Sequence, residues 1–289
     1  MAASLTAGAA SAAPPQTAET LLELETDLLF EGIRRRYGYD FGAYSRESLQ
    51  RRLQARMKAE GVLTLSALQE AVLHDSACMH RLLRAISVPA TALFRDPGLF
   101  ASIREDVIPL LRTWPWLRIW HAGCASGEEP YSMAILLAEE GLLARTSIYA
   151  TDVNDELLTR AASGRLTASK LAASRQAHHD AGGARPLDEH LIVDGTGARL
   201  RPELLERITW AQHDLVSDTG FNDFHLIICA NVLIYFTPPF RERIHRLLYE
   251  SLVPFGFLGL GERELIAAHP PTPRYRPVPQ ANRLYKKVA

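Results

Sequence analysis

From about residue 117 the chain alternates short apolar runs with segments of helical periodicity, and this constrains the fold more than any other feature. Leu117–Ala122 is an apolar run ending at Gly123, and Glu128–Glu140 follows with helical spacing through Met133, Leu136 and Leu137. Ser147–Thr151 reads as a strand ending at Asp152, with a helix from Asn154, and Arg207–His213 reads as another strand. Phe224–Cys229 is mostly apolar, as a strand buried on both faces should be. Pro238–Leu252 reads as helix, and Phe255–Leu260 and Arg283–Val288 as the last strands. Such alternation implies an α/β fold, a parallel sheet with helices on both faces.

Upstream, residues 20–88 read as almost all helix. Leu21, Leu22, Leu28, Leu29 and Ile33 recur at near-helical spacing. Ser45 or Ser48 can cap a second helix carrying Leu49, Leu53 and Met57, which Gly61 ends. Further helices fit Ser66–Leu73 and Ser76–Ile86. Residues 1–18, rich in Ala, Ser, Thr and Pro, read as a disordered tail without the basic start of a signal peptide. Residues 165–203 interrupt the alternation with Gly182, Gly183, Gly195 and Gly197 and short apolar pieces, and read as an insertion of one or two small hairpins. The expected division is therefore a tail (1–18), a helical domain (19–88) and a sheet domain (89–289) holding the insertion.

The formal net charge of -1 gives no global pull toward nucleic acid or membrane, so any basic site must be local. Cys78, Cys124 and Cys229 have no paired spacing, which argues against a disulfide framework and for a reducing, cytoplasmic compartment. No Cys-x-x-Cys or His-x-x-x-His spacing occurs, so no metal site is expected. No apolar run approaches the ~20 residues of a membrane helix, so no direct membrane insertion is expected.

The turn His121-Ala-Gly-Cys-Ala-Ser-Gly-Glu-Glu-Pro-Tyr131 joins the first strand to its helix. Gly123 and Gly127 allow a tight turn and close approach of a ligand. The spacing is Gly-x-x-x-Gly rather than a full dinucleotide fingerprint, and two glutamates follow at once. Those carboxylates would repel a pyrophosphate, whereas a ligand with an ammonium and a sulfonium matches them. Asp152 lies 25 positions beyond Gly127, close to the ~20-residue offset at which a carboxylate takes ribose hydroxyls. Two bland readings stand beside these: an ordinary strand-to-helix turn, and a cap for the following helix. Together the two features favour an adenosine ligand.

Three blocks, Thr91-Ala-Leu-Phe-Arg95, Gly127-Glu-Glu-Pro-Tyr-Ser132 and Asn231-Val-Leu-Ile-Tyr-Phe236, occur in the order and separation of the CheR family of chemotaxis receptor methyltransferases. Ala150-Thr-Asp152, Gly259-Leu-Gly261 and the block from Tyr44 to Gly61 also resemble that family, over about residues 22–288. The resemblance implies a Rossmann-like class I methyltransferase sheet with a small N-terminal all-helical domain and a small β insertion. It implies S-adenosyl-L-methionine (SAM) as cofactor and S-adenosyl-L-homocysteine (SAH) as product. In the implied pocket Thr91 and Arg95 come from the interdomain segment, Glu129 meets the amino-acid end and Asp152 holds the ribose. Asp214 and Leu215 flank the adenine, and Asn231 and Val232 close the pocket beside the sulfonium. Four positions depart from the family pattern: Pro89 for Asn, Leu93 for Phe, Asp214 for Asn and Ala230 for Arg.

The implied acceptor is a glutamate carboxylate, ionised at neutral pH because its ordinary pKa is about 4.3, so no general base is needed. The site must orient a weak nucleophile and strip its water. A permanently charged Arg and a Tyr hydroxyl suit that task, which points to Arg95 and Tyr235. An interdomain ion pair for Arg95 and a packed aromatic for Tyr235 are the bland alternatives. His121 and His213 read as structural histidines and Cys124 as a small filler.

The implied partner is the cytoplasmic domain of methyl-accepting chemotaxis receptors, an acidic helical bundle, with this chain a monomer and nucleic acid excluded. Arg52 and Arg56, at i, i+4 spacing, and Lys58 would face it, unless they form only a solvated basic face. The insertion fits the position of the family's small β subdomain, which in some members captures a receptor tail peptide. Two other readings remain: a methyltransferase for another acceptor, and a SAM-binding regulatory module without turnover.

Overall fold

The structure is a computed structural model, and it describes residues 20–41, 46–86, 91–264, 275–279, 281 and 283–288. The expected tail, Ser45 and Pro89 lie outside the described residues.

Four helices come first: α1 (Leu21–Tyr37), α2 (Arg46–Glu60), α3 (Leu65–His74) and α4 (Ser76–Ile86). Thr20 and Glu23 cap α1 reciprocally, each side chain accepting the other's backbone N–H, and Gly38 at φ 77° stops it. Ser48 falls inside α2 rather than ahead of it, and Gly61 ends that helix in a left-handed conformation. Next come α5 (Pro97–Ser102), a π-helical turn (Ile103–Val107) and α6 (Ile108–Leu111).

The alternating region supplies β1 (Leu117–Ala122), α7 (Glu128–Glu139), β2 (Thr146–Asp152), α8 (Asp155–Ala162), β3 (Arg165–Thr167) and α9 (Ala168–Asp180). It continues with β4 (Leu191–Asp194), β5 (Gly197–Leu200), α10 (Pro202–Leu205), β6 (Ile208–Gln212), β7 (Phe224–Cys229) and α11 (Pro238–Glu250). It ends with β8 (Leu252–Leu260), β9 (Tyr275–Pro277) and β10 (Leu284–Lys287).

The main sheet runs β6-β2-β1-β7-β8-β10-β9. The first five strands are parallel, and β10 is antiparallel to both β8 and β9 at the edge of the sheet.

Alternate residues of each strand enter two cores. Ile119, Leu226, Ile228 and Phe257 pack against α5–α7 and the insertion. Trp120, Phe224, Ile227 and Leu258 pack with Ile244 and Leu248 of α11 and, in the same cluster, with Leu29, Ile33, Leu53 and Leu82 of the N-terminal helices. The helical segment thus shares a core with one face of the sheet.

The insertion contains one of the expected small hairpins, β4–β5. It holds a three-stranded antiparallel sheet, β3-β5-β4, and the 13-residue helix α9. The buried face of α9 consists of Leu171, Ser174 and His178, so no apolar stripe announced it. His178 and His190 both place Nε2 against Glu139 Oε1, at 3.1 and 3.3 Å, while Arg104 donates to Oε2 at 2.7 Å. The carboxylate is 1% exposed. This is the group with metal-type donor spacing among the described residues, and its contacts account for it as a hydrogen-bonded cluster tying the insertion to α7. Burial opposes the charge on Glu139, but the hydrogen bonds from His178, His190 and Arg104 hold its carboxyl well below the usual range. No described helix is long and apolar enough to cross a membrane.

Candidate functional site

Strand order reverses between β2 and β7 on either side of β1, and a cleft opens there at the carboxyl ends of the strands, where open α/β sheets take their ligands. The turn after β1 forms its floor. Gly123 and Cys124 donate to Thr151 O, and Ala125, at φ 48°, donates to Asp152 Oδ2 at 2.9 Å. Gly127, at φ 93°, leaves no room for a side chain, since a Cβ would lie 2.7 Å from that of Ala161.

The two glutamates of the turn divide their tasks. Glu128 is buried and accepts from Ser126 Oγ at 2.7 Å and Lys170 Nζ at 2.9 Å. Glu129 lines the cleft and is held at 2.8 Å by Nδ1 of His121, which is fully buried. Lys170 also donates to Thr91 O at 2.8 Å, strapping α9 of the insertion onto the segment that carries Arg95. Phe94 in that segment adopts φ 49°, its N–H donating to Ser132 Oγ. Asp96 caps α5 and pairs with Arg283.

Asp152 follows β2. Its Oδ1 accepts Asn154 N–H and its Oδ2 accepts Ala125 N–H, each at 2.9 Å, which leaves one lone pair per oxygen toward the cleft. Asn154, not Asp152, caps α8. Burial pushes the Asp152 carboxyl above its ordinary value, against N–H donors from Asn154, Ala125 and Val153. Asp214, after β6, accepts from Tyr39 Oη at 3.2 Å and Val216 N at 2.9 Å, with His80 Nε2 at 3.9 Å from its other oxygen.

After β7, Asn231 sits at φ 62°, and Val232 abuts Gly123, where an added Cβ would meet Val232 Cγ2 at 2.5 Å. Tyr235 ends a 3₁₀ turn, Leu233–Tyr235, and its carbonyl accepts Asp40 N–H at 2.8 Å. Beside it Tyr39 bridges to Phe236, their rings 5.2 Å apart, and Thr237 donates to Gly38 O.

Thr91, Arg95, Glu129, Asp152, Asp214, Leu215, Asn231, Val232 and Tyr235, all expected from the sequence, line this one cleft. So does Ala230, at the position where the family pattern has Arg. The expected basic face is different. Arg52 turns inward and donates to the carbonyls of Ala85 and Ile86 at the end of α4, and Arg56 is 17% exposed and pairs with Glu60. Four carbonyls at a helix end lack intrahelical partners, and Arg52 satisfies two of them. Lys58 is exposed. His213 donates from Nε2 to Thr219 O and stacks edge-on against Trp120, while burial raises the Cys124 thiol well above its usual range. The sequence reading missed Tyr39, Lys170 and Glu264.

A cleft lined by three carboxylates, Glu129, Asp152 and Asp214, and by no lysine among the described residues, fits a ligand with an ammonium, a sulfonium and a ribose diol. The comparisons agree. Residues 89–280 match the model of the CheR methyltransferase SAM binding domain, and residues 24–87 that of the CheR methyltransferase all-alpha domain. The chain belongs to the CheR methyltransferase family. A protein of Pseudomonas putida named methyltransferase Cher3 is 41% identical over 271 residues, covering 94% of this chain and 99% of its own. The chemotaxis protein methyltransferase of Salmonella typhimurium is 30% identical over 248 residues, 80% of each chain. Among solved structures, the N-methyltransferase NodS of Bradyrhizobium japonicum, in complex with SAH, covers 59% of this chain and 63% of its own at 16% identity, TM-score 0.33. This CheR-family chain is therefore a SAM-dependent methyltransferase by family, with a class I sheet and an all-alpha N-terminal domain.

Proposed function

We propose that this CheR-family chain transfers a methyl group from SAM to glutamate side-chain carboxylates of methyl-accepting chemotaxis receptors, giving methyl esters. One observation carries the reading: Arg95 and Tyr235 line the same cleft as Glu129 and Asp152, so carboxylate-orienting groups and cofactor-holding groups face one space. The name of the Salmonella relative supports the chemotaxis setting.

Glu129 would hold the cofactor's ammonium, Asp152 its ribose hydroxyls, Asp214 and Leu215 its adenine, and Thr91, Asn231 and Val232 the region of its sulfur. When bound, SAM supplies a methyl carbon made electrophilic by the attached sulfonium. Arg95 orients the acceptor carboxylate by charge-assisted hydrogen bonds, and Tyr235 adds a weaker one that leaves the nucleophile its charge. Apolar walls from Phe41, Leu83 and Phe236 exclude water from the carboxylate, which is needed because its hydration must be replaced before it attacks. The acidic receptor surface would meet exposed Lys58 and Arg51 of α2, with Arg52 and Arg56 acting from behind. The chain would work as a monomer in the cytoplasm.

The test is transfer of labelled methyl from SAM to purified receptor cytoplasmic domains, followed by alkali. Esters release the label as methanol, whereas N-methyl groups keep it. Alkali-stable label overturns the carboxylate acceptor. A second reading, a SAM-binding module without turnover, draws on Ala230 in the cleft wall; it predicts SAH binding with no label on any receptor.

A further inference from the structure

Glu264 lies beyond β8 and outside the cleft lining, yet it organises the cleft's far wall. Its carboxylate is 3% exposed and accepts four backbone N–H groups. Oε2 takes those of Asn231 at 2.7 Å and Gly261 at 2.8 Å; Oε1 takes those of Val232 at 2.7 Å and Leu233 at 2.6 Å. Three successive N–H groups can point at one anion because Asn231 adopts φ 62°, the left-handed conformation that makes a backbone concavity for anions. Ordinarily such a concavity takes a ligand's phosphate or carboxylate; here the chain fills it with its own side chain.

The packing leaves no slack. A Cβ at Gly261 would lie 2.6 Å from both Asn231 N and Glu264 Oε2. The loop also carries two other groups of the cleft. Val232 presses on Gly123 of the floor, and its carbonyl accepts the N–H of Tyr235 at 3.2 Å. Burial pushes the Glu264 carboxyl above its ordinary value, while the four N–H donors favour its ionised form.

We infer that Glu264 is a positioning residue of the methyl-transfer site: its carboxylate fixes the Asn231–Leu233 backbone and, through it, Val232 and Tyr235. This rests on the reading that Asn231 and Val232 meet the cofactor and Tyr235 the acceptor. Glu264→Gln replaces an acceptor oxygen by an amide that faces N–H donors, so the loop must leave its left-handed turn.

The experiment compares wild type, Glu264→Gln, Gly261→Ala and the control Glu262→Gln, an exposed neighbour on the same loop. Calorimetry with SAH, receptor methylation and circular dichroism are run well below the melting temperature. The expected result is full ellipticity with SAH affinity reduced about tenfold and kcat reduced about a hundredfold in Glu264→Gln and Gly261→Ala, and no change in Glu262→Gln. A general loss of structure would instead lower the active fraction and leave Kd and KM unmoved. Wild-type affinity and turnover in folded Glu264→Gln overturn the inference. Should both variants unfold, amide exchange in the intact, cofactor-free protein decides: slow exchange at residues 231–233 and 261 supports the anchor, and exchange at the rate of an open loop overturns it. Failure of wild type to bind SAH would count against the cofactor pocket itself, a separate outcome.

Discussion

Asp152→Asn is the sharpest single test of the cofactor pocket. In the wild type Oδ1 accepts the N–H of Asn154 and Oδ2 that of Ala125, and in the proposed cofactor complex each oxygen also takes a ribose hydroxyl. An amide keeps one acceptor oxygen. Whichever way it turns, its NH₂ faces either the Ala125 or the Asn154 N–H, and the hydroxyl on that side loses its acceptor. A hydrogen bond to a charged group contributes about 1.5–3 kcal/mol, so SAH affinity should fall roughly 10- to 150-fold. The unpaired backbone N–H costs about 1–3 kcal/mol in the cofactor-free protein, a drop of roughly 2–4 °C in Tm for each kcal/mol. Calorimetric titration with SAH and a thermal melt measure both. An affinity within twofold of wild type, with Tm unchanged, would refute the placement of the ribose at Asp152.

Arg95→Ala and Tyr235→Phe should lower receptor methylation, by about a hundredfold for Arg95, while SAH binding partly survives; unchanged turnover in both sinks their assignment. Arg52→Glu should cost about 1–3 kcal/mol of stability in denaturant melts through the lost bonds to Ala85 and Ile86, whereas Lys58→Glu should leave stability alone and weaken receptor binding in a salt-sensitive way. Burial, with Arg241 beside it, pushes His245 down from 6.5 to about 4. Between those values the unfolded chain binds a proton that the folded one does not, so stability is full above pH 6.5 and falls as pH drops toward 4, by about 3 kcal/mol at the limit. In urea melts across that range the wild type should lose stability relative to His245→Leu, which has no proton to bind there; parallel curves would show that His245 is not the group responsible.

The main sheet was legible because its central strands, β1 and β7, are buried on both faces and therefore read as near-continuous apolar runs, Phe224–Cys229 above all. The cleft was legible because its residues follow strand ends at which only particular residue types serve. What stayed hidden has a common cause. The buried face of α9 is built from Leu171, Ser174 and His178, so its periodicity is invisible to hydropathy. Glu264 stands in a polar stretch of the chain and meets residues 231–233 only after β7 and β8 have paired. Lys170 and Tyr39 lie 79 and 175 positions away from their partners Thr91 and Asp214, beyond any local spacing rule. Arg52 and Arg56 looked like an outward face because the helical repeat gives a shared side of α2 but not which neighbour lies against it.

The pairing of Gly38–Asp40 with Tyr235–Thr237 has a practical consequence for engineering. A chimera that grafts the helical bundle of one relative onto the sheet of another would cut through main-chain bonds beside Tyr235, and a Cβ at Gly38 would collide with the Phe240 ring at 2.3 Å. The bundle is not a cassette. Residues 38–41 and 235–240 have to travel together, whatever receptor specificity the donor was chosen for.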